Sequence, residues 1–252
     1  MFKFILLNQS FVSGSRFLIV IMLARFLGLE EFGIYNLLWS VVLFLVSIQI
    51  PAIINPMLTM PSENKYFFTV LLRLQIVFLL FAMALMAFIF LIASYFYEIR
   101  LSYAVLTILY GCMYMLYEFL RRYELVFGKN NSYIAGFDIF VNLSALLMVM
   151  YLGLNDGLSI EVFFLISTVI FFIASFALIS RFPYRKNVNN LIAYALTKKI
   201  FLYAKPQLSA SILQFMSGNF FVYMSAILLG PVAVGAIRAA ASILSFFIVI
   251  FN

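Results

Sequence analysis

Apolar residues run through this chain in blocks of roughly 20, the length a helix needs to cross a hydrocarbon layer about 30 Å thick. On that ruler eight segments are expected, at about 3–26, 32–50, 66–95, 102–126, 132–152, 159–180, 206–228 and 232–252. Runs such as Ile76 to Ala93 have no polar face, so a soluble two-domain arrangement fails on pattern alone. The expected fold is an all-α polytopic membrane bundle.

The pattern also repeats. The stretch Arg25-Phe26-Leu27-Gly28-Leu29-Glu30-Glu31-Phe32-Gly33-Ile34-Tyr35 returns as Leu228-Leu229-Gly230-Pro231-Val232-Ala233-Val234-Gly235-Ala236-Ile237. A constant offset of 202 places Leu27, Gly28 and Gly33 on Leu229, Gly230 and Gly235, and it carries Ser40 onto Ser242 in the flanking helices. Each copy predicts a helix, a tight glycine turn and a second helix. Gly28 and Gly230 suit the left-handed position after a helix end, while Pro231, Glu30 and Glu31 suit a first helical turn. A hairpin repeated in this way predicts a two-lobe transporter fold: a first six-helix lobe at 1–184, a linker at 185–205 and the first two helices of a second lobe at 206–252. The sequence ends inside its eighth apolar segment, so the chain reads as an incomplete copy of a longer protein.

Charge adds sidedness. The connections alternate, with Lys3, Lys65, Arg121, Arg122, Lys129, Arg181, Arg185, Lys186, Lys198, Lys199 and Lys205 on one side and only Arg25 and Arg100 on the other. The positive side is expected to be cytoplasmic, with the amino terminus inside. The net charge of +7 is spread between apolar segments and forms no face for nucleic acid. Residues 181–205 combine Leu191, Ile192, Tyr194 and Leu196 with Lys198 and Lys199, which suits an interfacial helix against an anionic leaflet; a solvated linker with the same charge is the alternative. The sequence contains 66% hydrophobic residues, no histidine and one cysteine, which excludes histidine-dependent catalysis, an internal disulfide and a CxxC site. No cofactor is expected.

Candidate chemistry lies where polar groups interrupt the apolar blocks. An arginine at mid-membrane costs about 2.5–3.5 kcal/mol on insertion scales, so such groups turn toward a cavity or a partner. Gln9, Ser13 and Arg16 follow i, i+4, i+7 on the first helix, and Gln207, Ser211, Gln214 and Gly218 form a stripe on the repeat-equivalent seventh. Facing stripes would border a polar cleft, with Arg16, Gln9, Ser13, Gln214 and Arg238 as its candidate substrate-binding residues; helix packing through small residues is the alternative. Glu118, Arg121, Asp138 and Asn142 suggest a gate or a static clamp, in which Asp138 pairs with Arg121 or Arg122. Arg73 and Gln75 read as snorkelling and capping residues. Tyr103, Tyr110 and Tyr117, at intervals of seven, suit packing or an aromatic belt, with stacking on sugar rings as the other use.

Ser15-Arg16, Ala24-Arg25-Phe26-Leu27-Gly28 and Glu31-Phe32-Gly33-Ile34-Tyr35 together resemble the amino-terminal signature of bacterial polysaccharide flippases, the O-antigen transporter type of the multidrug/oligosaccharidyl-lipid/polysaccharide exporter superfamily. Tyr203-Ala204-Lys205-Pro206-Gln207-Leu208-Ser209 and Leu229-Gly230-Pro231 are similar to that family's second hairpin. The resemblance implies an inner-membrane protein that moves undecaprenyl-pyrophosphate-linked sugar units to the periplasmic leaflet by alternating access. It implies a cleft arginine at Arg16, an architectural arginine at Arg25, and enzymes that build and polymerise the glycan as partners.

Three other readings stay open. A drug or cation antiporter of the same superfamily would use intramembrane acids such as Asp138 and Glu118. A membrane glycosyltransferase or polymerase would need an acidic extramembrane loop, and the outer loops here are short. The third is a truncated remnant that transports nothing. The expectation is a transporter and not an enzyme.

Overall fold

The computed structural model describes residues 2–59, 66–96, 100–128, 131–182 and 190–251. These are helical almost throughout: α1 Phe2–Phe26, α2 Gly28–Gln49, a π-helical turn Ile50–Ile54, α3 Asn55–Thr59, α4 Phe67–Phe96, α5 Leu101–Phe127, α6 Asn131–Leu154, α7 Ile160–Ile179, α8 Asn190–Leu229 and α9 Pro231–Phe251. Among the described residues six helical stretches are long and apolar enough to cross a bilayer. The other two expected segments form α1 and α9, helices of 25 and 21 residues.

Two boundaries differ from the expectation. The second segment does not stop before Pro51. A π turn, closed by the Asn55 N–H donating to the Ile50 carbonyl, carries the helix on to Thr59. A proline ring clashes with the carbonyl four residues back and brings no N–H, and the wider turn accommodates both defects. The 185–205 stretch also does not end before a new helix at 206. From Asn190 one 40-residue helix passes through Pro206 to Leu229, as helices do when neighbouring groups satisfy the freed carbonyls.

The described chain falls into two compact units, each assembled from separated stretches: 1–40, 130–171 and 219–252 in the first, 41–129 and 172–218 in the second. In the first, α1 packs on α6 and α9. Leu23, Phe32 and Phe164 are fully buried there, and the Tyr35 ring lies 5.5 Å from that of Phe163 and 5.7 Å from that of Phe164. In the second, α4 packs on α5 around Leu71, Met86, Met115 and Leu120, and α2 approaches α5 so closely that the Val42 methyl lies 3.0 Å from where a Cβ on Gly111 would sit. Val77, Phe88 and Leu91 on α4 are 62%, 60% and 70% exposed. A helix with a bare leucine and phenylalanine face is at equilibrium only in hydrocarbon.

Candidate functional site

The repeat noticed in the sequence is a physical contact. Gly28 and Gly230 both adopt the left-handed backbone, with φ of +75° and +80°. Each stands at the junction of two helices, where the Leu27 N–H donates to the Leu23 carbonyl in the first copy and the Gly230 N–H to the Ala226 carbonyl in the second. Five residues on, the two hairpins meet at Gly33 and Gly235. A Cβ on Gly33 would strike the Pro231 carbonyl, whose carbon lies 2.6 Å away, and would sit 3.2 Å from the Gly235 nitrogen. One on Gly235 would strike the Leu29 carbonyl, with its carbon at 3.2 Å and the Gly33 nitrogen at 3.3 Å. Leu29 and Pro231 are themselves repeat partners, so residue i of one copy meets residue j of the other, and j meets i. This is the reciprocity of a two-fold contact, here within one chain.

The candidate cleft residues have different surroundings. Gln9 lies in α1, with its side chain outside the described residues. Ser13, Arg16 and Gln214 are exposed. Arg238 is half-buried in the second hairpin, where its guanidinium donates to the Asn219 side-chain oxygen. Tyr223, on the same face of α8 as Asn219, is hydrogen-bonded to Ser40 of the first hairpin. The repeat-equivalent serines act alike: Ser40 donates to the Leu37 carbonyl at 2.7 Å and Ser242 to the Arg238 carbonyl at 2.8 Å. Arg25, at the hairpin entrance, stands 5.9 Å from the centre of the Phe26 ring.

The gate candidates divide between the units. Glu118 is buried on α5, where Arg122 donates to it at 2.6 Å and Arg121 approaches at 3.7 Å, so both arginines engage a carboxylate on their own helix. Asp138 and Asn142 are buried on α6, and Asn142 donates to the Asp138 backbone carbonyl at 2.7 Å. Tyr103, Tyr110 and Tyr117 are buried.

Two polar pairs went unrecognised in the sequence. Gln75 is not a cap. It is fully buried, and its carbonyl oxygen accepts a 3.0 Å bond from Gln49, whose amide nitrogen also donates to the Met115 carbonyl at 2.9 Å. The Met115 carbonyl requires a donor, which fixes the orientation of both amides and leaves the Gln49 oxygen and Gln75 nitrogen without partners. Beyond the π turn, Asn55 donates to Gln207 at 2.7 Å, which assigns Gln207 to packing beside Pro206. The available signal was an amide inside an apolar run, a residue type that such a run admits only at a cost. Among the described residues no three of Cys, Asp and Glu gather as metal ligands.

Comparison with protein-family models, with curated proteins and with solved structures gives no match. The class that the fold defines is an all-α, multi-pass membrane protein.

Proposed function

We propose that the chain works in translocation of lipid-linked oligosaccharide, carrying undecaprenyl-pyrophosphate-linked repeat units from the cytoplasmic to the periplasmic leaflet of the bacterial inner membrane. The observation that carries this reading is the reciprocal packing of the two repeated hairpins at Gly33 and Gly235. Repeats that meet about a two-fold axis are the architecture in which one half rocks against the other to alternate access. The substrate class rests on the signature residues around Arg16, Arg25 and Gly28, and on the charge of Arg16, exposed midway along α1. In this reading Arg16 attracts the pyrophosphate, Arg238 supports it from the second hairpin, and Ser13 contacts a sugar hydroxyl. The amino terminus is cytoplasmic, and the partners are the glycosyltransferases and polymerase of the same glycan.

The test is restoration of surface polysaccharide in a strain lacking this protein. Wild type should restore it, and Arg16→Ala at equal protein level should not. A variant as active as wild type would remove Arg16 from the substrate path.

A second reading, exchange of cations or drugs, draws on Asp138, an acid only 1% exposed on a membrane helix. Drug resistance on expression, lost in Asp138→Asn, would favour it.

A further inference from the structure

The second unit carries an apolar groove of about 400 Å³, within the range of small-molecule sites. Its walls are the π turn, α4 and α8. Pro51 forces the wide turn that presents Ala52 to the groove, and Ala204 lies on the α8 wall; these small side chains leave the space that Val77, Phe81 and Phe201 enclose. Thr197 is the polar residue of the lining. A saccharide would find almost no hydrogen-bonding groups here, whereas a hydrocarbon chain matches the lining over its whole length.

The charges on α4 and α8, the two long helices that wall this groove, have one sign. Lys198, Phe201 and Lys205 recur at i, i+3, i+7, which puts both lysines on the α8 stripe that includes a lining residue. Both are exposed. Neither α4 nor α8 contains Asp or Glu, and Arg73 immediately precedes Leu74 of the α4 wall. An apolar slot whose two long helical walls carry cations and no acids complements a lipid that joins a hydrocarbon chain to a phosphate.

We propose that this groove is a binding site for an anionic phospholipid of the surrounding bilayer, with one acyl chain lying along Ala52, Phe81 and Ala204 and the phosphate held by Lys198 and Lys205. The site is independent of any transported substrate. Each lysine beside an anionic lipid contributes roughly five-fold, so the pair should favour phosphatidylglycerol over phosphatidylcholine by about twenty- to thirty-fold.

The test places a reporter in the lining. Full chain carrying Trp39→Phe and Phe201→Trp is reconstituted in nanodiscs of phosphatidylcholine doped with brominated phosphatidylglycerol or brominated phosphatidylcholine. The anionic lipid should quench the tryptophan at a mole fraction about twenty-fold lower, and adding Lys198→Gln and Lys205→Gln should erase the difference. Equal quenching by the two lipids, or a preference that survives loss of the lysines, overturns the proposal. Unlabelled undecaprenyl phosphate relieving the quenching more strongly than unlabelled phosphatidylglycerol would overturn the choice of occupant. If the reporter variant does not fold, native mass spectrometry of the unmodified chain released from mixed nanodiscs reads the same preference. Retained phosphatidylglycerol, lost in the double lysine variant, is expected, and retention of neither lipid contradicts it.

Discussion

The glycine contact can be broken with one methyl group. A Cβ at Gly33 lands on the Pro231 carbonyl, with the carbonyl carbon at 2.6 Å. Carbon atoms rest at about 3.5–4.0 Å, so the starts of α2 and α9 must part by roughly 1 Å. The obstacle is backbone, which cannot rotate away, and overpacking of this kind costs about 1–3 kcal/mol. Alanine returns about 1 kcal/mol through its helix propensity, which leaves Gly33→Ala destabilised by up to about 2 kcal/mol. Gly235→Ala meets the Leu29 carbonyl carbon at 3.2 Å and should lose less. At about 2–4 °C per kcal/mol, Gly33→Ala should lower the apparent thermal midpoint of the purified protein in nanodiscs by several degrees. Once the hairpins have separated, the second methyl enters space already opened, so the double variant should lose less than the sum of the singles, with a coupling of about 0.5–3 kcal/mol. Gly14→Ala is the control, because nothing lies within 4 Å of its Cβ position. If Gly33→Ala melts with Gly14→Ala, or the two hairpin substitutions simply add, the repeats do not pack as described.

Other substitutions probe the second unit and the sidedness. Gln49→Leu leaves the buried Gln75 amide without its partner and should cost about 1–3 kcal/mol, whereas Gln75→Leu leaves Gln49 bonded to Met115 and should cost less; equal thermal shifts would dissociate the two amides. Glu118→Gln removes the carboxylate shared by Arg121 and Arg122 and should lower the midpoint by the equivalent of about 1–2 kcal/mol, the partial exposure of Arg122 limiting the loss. An unchanged midpoint would make that pairing incidental. In a Cys112→Ala background, Arg181→Cys should react with an impermeant maleimide only from the cytoplasm and Arg100→Cys only from outside. The reverse pattern would invert the topology.

Helix existence was legible because a 20-residue apolar ruler needs no tertiary information. The repeat was legible at Gly28 and Gly230 because their local backbone demands glycine, and both do take positive φ. The contact between Gly33 and Gly235 was not legible, since a glycine in a helix announces close approach without naming the partner. The helix through Pro51 and Pro206 was missed because proline predicts a break, whereas a π turn and a 40-residue helix absorb the rings here. The pairing of Glu118 with Arg121 and Arg122 was legible in spacing alone, because Glu118 lies three and four residues before them on the same helix and needs no tertiary geometry to reach them. The candidate cleft was read from faces of single helices, which fix the direction of a side chain and not what stands opposite.

The most direct test of the translocation reading uses the full chain in proteoliposomes loaded with a fluorescent isoprenoid-pyrophosphate saccharide, following the fraction of lipid that an external impermeant quencher or enzyme can reach. Transfer between leaflets well above the protein-free rate, abolished by Arg16→Ala at equal incorporation, is the predicted result. Folded protein that leaves the transfer rate at the protein-free value would contradict it.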